Sequence, residues 1–63
     1  MNEFMMDALV ETLCEEFDNA KDMEEVARLS QRIVALNNKV SFDNEQWGCM
    51  NHYQLLAMGR VSV

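Results

Sequence analysis

Cys49 and His52 stand three residues apart, the spacing of two zinc ligands on one helical turn, and Cys14 supplies a third candidate ligand. A structural zinc site takes four protein ligands, so this set is one short. Free cysteine is also among the most buried residue types, and Cys14 flanks an apolar stripe as a small hydrophobe would. The chemistry on offer is therefore packing first, with a metal or redox module as the weaker reading. Acyl or group transfer would need a nucleophile, a base and an oxyanion stabiliser gathered in a pocket, and three short helices leave little room for one. The expectation is a protein that is not an enzyme and carries no cofactor.

Carboxylates offer a different kind of chemistry. Glu3, Asp7, Glu11 and Glu15 recur every four residues, a ladder along one helix face in which each step costs an isolated helix about 0.2–0.5 kcal/mol. Residues 1–20 carry six acids and no Lys or Arg, whereas residues 21–63 hold five of each sign, so the net charge of −6 resides on the first segment. Phosphate affinity comes from clustered Lys and Arg, and here Arg28, Arg32 and Lys39 form the nearest thing to a basic stripe, which disfavours direct nucleic-acid binding. The ladder is instead either a solvated face that keeps a small protein soluble, or a candidate partner-binding surface that imitates a phosphate row and occupies a basic site on another protein.

The elements that must position these groups are helices. With no proline and glycine only at positions 48 and 59, the chain has few breaks. Met6, Val10, Leu13, Phe17 and Ala20 step by four and three, with Leu9 and Cys14 widening the stripe, and predict a helix over 3–20. Val26, Leu29, Ile33, Leu36 and Val40 make the narrowest stripe and predict a helix over 23–39, opened by Asp22 as N-cap with Glu25 reaching back. Asn37 and Asn38 offer its left-handed stop. A third helix is expected over 44–58, with Asp43 and Gln46 at capping-box spacing, Phe42 and Trp47 as a hydrophobic staple, and Gly59 as its C′ residue. Trp47, Met50 and Tyr53 lie along one side of it, and residues 60–63 are expected to be loose.

A connection of a few residues makes the first two helices an antiparallel hairpin. Arg28 then lies level with Glu15, and Arg32 with Glu11, but both glutamates point away from the helix–helix seam, which leaves direct pairing open. A chain of 63 residues buries only ~60% of its unfolded surface, and two helices leave half of each stripe bare, so a third helix and a second copy are expected to cover them. No apolar run approaches the ~20 residues of a membrane span. Glu3, Asp7 and Glu11 interrupt the N-terminal apolar residues where a secretory signal would need them continuous, so the reading is cytoplasmic, with free thiols.

The run MNEFMMDALVETLCEEFDNAKDMEEVARLSQRIVALNNKV resembles the small early proteins of the exo–xis region of lambdoid bacteriophages. The likeness extends over all 63 residues and is one of overall sequence, not of a motif. It implies a helical, self-associating protein made early in phage development inside the bacterium, from a group associated with tilting the lysis–lysogeny choice and altering host physiology. It assigns no binding role to any numbered residue.

These readings combine into one all-α domain over 1–63, a helical hairpin with a third short helix that dimerises into a bundle. Its core and dimer contacts are expected at Met6, Val10, Leu13 and Phe17, at Val26, Leu29, Ile33, Leu36 and Val40, and at Trp47, Met50 and Tyr53. Glu3, Asp7, Glu11 and Glu15 are the expected contacts for a host protein. The expected function is regulation through protein contacts, the alternative an acidic mimic of DNA that inhibits a host nucleic-acid-binding protein.

Overall fold

Three helices follow one another in the computed structural model, which describes the backbone of residues 3–62 and the side chains of residues 5–62: α1 (Glu3–Asn19), α2 (Met23–Asn37) and α3 (Asn44–Val61). The side chain of Glu3 thus lies outside the described residues. Local chemistry sets two of the helix starts. At α2, Asp22 is extended and its Oδ1 accepts from the Glu25 amide at 2.9 Å. Glu25 reaches back one residue beyond the cap, its Oε2 accepting from the Lys21 amide at 2.6 Å. At α3 the capping box is complete, with the Gln46 amide donating to Asp43 Oδ1 at 2.8 Å and the Asp43 amide to Gln46 Oε1 at 3.0 Å. Phe42 and Trp47 meet edge to face, centroids 5.4 Å apart.

The helix ends differ from the sequence expectation. α2 stops at Asn37, and Asn38 caps it in the right-handed region, φ −73°, not as a left-handed stop. The chain then tightens, the Lys39 and Val40 amides both donating to Leu36 O at 2.9 Å. α3 does not end before Gly59. It continues to Val61, and Gly59 takes no positive φ. Tertiary contact explains the extension: Arg60 Nη2 donates to Phe17 O and Ala20 O, each at 2.8 Å, and Val61 packs on the core. Those contacts offset the ~1 kcal/mol that glycine costs inside a helix. The tail expected to be loose from residue 60 is thus helical through residue 61.

Asp7 meets Gln46 near the starts of α1 and α3, while Phe17 and Ala20 meet Arg60 near their ends, so these two helices run in the same direction with α2 returning between them in sequence. The closest packing is between α1 and α3, not within the α1–α2 hairpin. Met6, Val10, Leu13, Cys14 and Phe17 of α1, with Ala20 just beyond it, face Val26 and Ile33 of α2, Phe42, and Met50 and Ala57 of α3 in one buried cluster. Phe17, Leu13 and Met50 are its most enclosed large side chains. Leu29, Leu36, Val40 and Tyr53 are half-buried against it. Trp47, expected on the core stripe, stays exposed and covers Phe42 from outside.

Candidate functional site

Two surface clefts flank α3, and they differ in chemistry. The first, of about 290 Å³, runs between α1 and α3 and is lined by Asp7, Val10, Glu11, Cys14, Glu45, Gln46, Cys49 and Tyr53. Gln46 holds its upper end: the side chain that closes the α3 capping box also donates from Nε2 to Asp7 Oδ1 at 3.3 Å. Within the cleft the thiols of Cys14 and Cys49 touch, Sγ to Sγ 3.5 Å, across a sequence separation of 35 residues. Both are free, Cys14 buried and Cys49 exposed. Burial, the hydrogen bond to Cys49, and the charges of Cys49 and Asp18 push the Cys14 thiol from 9.0 up to about 12. At neutral pH Cys14 is therefore a protonated, weakly nucleophilic thiol.

His52 lies outside this lining and instead meets Tyr53 edge to face, centroids 5.8 Å apart. Among the described residues, no three His, Cys, Asp or Glu side chains come together as a metal site. The Cys14, Cys49 and His52 set of the sequence analysis is thus divided, two thiols in one cleft and the imidazole beside it.

The second groove, about 180 Å³, lies between α2 and α3 and is lined by Ser30, Ile33, Val34, Trp47, Met50, Asn51 and Gln54. Its floor is core, Ile33 and Met50, and its rims are large apolar side chains in contact with solvent, Val34 at 63% and Trp47 at 37% exposure. Trp47, expected as a core and contact residue, stands on the rim, packed edge to face on Phe42. Val34 sits one residue off the α2 stripe, at a position that amphipathic patterning assigns to water, and it is exposed there.

On the acidic ladder, Asp7, Glu11 and Glu15 are exposed. Asp7 takes the Gln46 amide, and Glu11 lines the thiol cleft. The two arginines level with the ladder pair with other carboxylates. Arg32 pairs with Glu16 at 3.4 Å, and Arg28 with Glu24 of its own helix at 3.4 Å. Glu11 and Glu15 have no cationic partner among the described residues. The reason is angular: Glu16 is turned toward α2, whereas Glu11 and Glu15 are turned away from that seam.

No described helix is long and apolar enough to cross a membrane. No family model, curated protein or solved structure matches the chain.

Proposed function

We propose that this chain is a non-enzymatic regulatory protein that acts through protein contacts and self-associates through the α2–α3 groove. The observation that supports this reading is the pairing of Val34 and Trp47, two large apolar side chains exposed on opposite rims of a groove whose floor is already core. A groove with a core floor and exposed apolar rims gives a further helix surface to bury, and aromatic anchors are common at the centres of interfaces. A second copy is the proposed occupant, since so short a chain gains proportionally most from burying more apolar surface. The resemblance to early proteins of lambdoid phages supplies the proposed setting: the cytoplasm of a bacterial host, a host protein as target, and host physiology or the lysis–lysogeny decision as what is altered.

The test is sedimentation at micromolar concentration. Wild type is expected to sediment as a dimer, and Val34→Asp as a folded monomer. A wild-type monomer at that concentration would refute self-association.

A second reading, an acidic mimic of DNA, has its own support in Glu11 and Glu15, exposed and without cationic partners among the described residues. It places the target contact on α1 and leaves the α2–α3 groove to the second copy, so the two readings are separable by face.

A further inference from the structure

We propose that Cys14 and Cys49 form a reversible disulfide staple between α1 and α3, made by exchange with a small neutral or cationic disulfide that enters the acidic cleft above them. The geometry carries this. The sulfurs are already at van der Waals contact, 3.5 Å apart, on two helices that are the most closely packed pair in the molecule. Bond formation brings them to ~2.05 Å, a displacement that side-chain rotation and a small helix shift can supply. Cys49 is exposed and Cys14 buried, so an incoming disulfide meets Cys49 first and leaves Cys14 in reach to resolve it.

The exchange runs in two steps. The Cys49 thiolate attacks one sulfur of the incoming disulfide. That S–S bond breaks, and the departing thiolate takes a proton from water, leaving a mixed disulfide on Cys49. The Cys14 sulfur then attacks Cys49 Sγ and its proton passes to the second departing thiolate. Two protein thiols are oxidised, and one external disulfide is reduced to two thiols. Burial holds Cys14 protonated and slows the second step, so at a reagent concentration that loads Cys49 quickly the mixed disulfide precedes the staple.

The cleft also selects the reagent. Asp7, Glu11 and Glu45 line it with carboxylates, so an anionic disulfide is repelled and a cationic one drawn in. This gives the acids of α1 a second effect on this face of the molecule, independent of any partner protein.

The experiment uses the full chain, reduced and then exposed at low salt to equal concentrations of cystamine, a dication, or glutathione disulfide, an anion. The reaction is quenched with acid and the product mapped by mass spectrometry. The expected product is a monomeric chain lacking two hydrogens with a Cys14–Cys49 cross-link, preceded by a mixed disulfide on Cys49. Cystamine is expected to react about ten times faster or more, with the gap closing as salt is added. The stapled chain is expected to melt about 10–20 °C higher than the reduced one. Cys14→Ser should stop at the mixed disulfide, and Cys14→Ala serves the same purpose if a buried hydroxyl impairs folding. A wild-type mixed disulfide that never resolves, or cross-links only between copies, would overturn the staple. Equal rates for the two reagents would overturn the charge selection.

Discussion

The two sides of α3 are built differently. Toward α1 the seam is closed by specific bonds: Gln46 to Asp7 at one end, Arg60 to the Phe17 and Ala20 carbonyls at the other, and the touching thiols between them. Toward α2 the contact is apolar, with no hydrogen bond to α3 among those the described residues show, and its groove is rimmed by solvent-exposed Val34 and Trp47. The first side is arranged as an interior, holding one register between two parallel helices. The second offers surface that a further helix could still cover. Stability is therefore expected to depend chiefly on the α1–α3 side, and association on the α2–α3 side.

Adjacent residues of α2 test this division most severely. Ile33 is 4% exposed and belongs to the core of a single chain, whereas its neighbour Val34 is 63% exposed. An unpaired carboxylate at Ile33 costs several kcal/mol, against a total stability of roughly 3–9 kcal/mol for a chain of this length. Ile33→Asp is expected to unfold the protein outright, by circular dichroism. Val34→Asp should leave the free energy of unfolding within about 0.5 kcal/mol of wild type at a concentration where both are monomeric, and remove only the dimer. If Val34→Asp unfolds the chain as Ile33→Asp does, the groove rim is structural and not an association surface.

The next largest effect comes from alkali. The Cys14 thiol titrates at about 12 in the folded chain against an ordinary 9.0, raised first by burial and then by its bond to Cys49. Its protonated form is what the fold accommodates, so the stability it contributes is present in full below pH about 9 and lost as pH rises toward about 12. Cys14→Ala should be less stable than wild type at pH 8 because a buried sulfur is removed, and the difference should shrink steadily above pH 9. A constant difference across that range would show that Cys14 ionises as easily in the folded chain as in the unfolded one.

Arg60 comes third. No basic residue occupies the last turn of α1, and Arg60 supplies the missing cation from the far end of the chain, at the negative pole of that helix. Arg60→Met is expected to cost about 1–2 kcal/mol in urea unfolding, since it removes a charged donor from two carbonyls. Arg60→Lys should recover only part of this, because lysine keeps the charge without the guanidinium fork.

What could be read in the sequence was what is local. The cap at Asp22, the capping box of Asp43 and Gln46 and the staple of Phe42 on Trp47 each depend on residues within five positions of one another, and all are present. The relation between stripe width and burial was harder to read. The narrow stripe of α2 is clean because that helix buries one side only, with Leu29 and Leu36 left half-exposed. The broader pattern of α1, widened by Leu9 and Cys14, reflects its deeper burial against α3. Helical spacing already turned Glu11 and Glu15 away from the α1–α2 seam; what it did not name was the partner Arg32 takes instead, Glu16, one residue round the helix from Glu15. Bonds spanning 35 to 43 residues, Cys14 to Cys49 and Arg60 to Phe17, carry no local signal, and they supply the specificity of the α1–α3 side.

The smallest expected change in stability is at Glu11 and Glu15, and it bears on what the acidic face of α1 is for. Neither glutamate has a cationic partner among the described residues, so neutralising both removes like-charge repulsion along the helix without breaking a pair. Glu11→Gln with Glu15→Gln is therefore expected to raise stability by a few tenths of a kcal/mol, and thermal unfolding at low salt is where the gain is largest. Loss of stability would mean that these carboxylates are paired in solution. Self-association should be unchanged, because the α2–α3 groove contains neither residue. If the ladder contacts a host protein, the same double variant binds that protein more weakly, and added salt weakens wild-type binding toward the variant's level because exposed charges are screened beyond ~8 Å. A variant that is slightly more stable, still dimeric and unaltered in binding a target captured by wild type would leave the ladder as a solvated face and remove the support for the mimic of DNA.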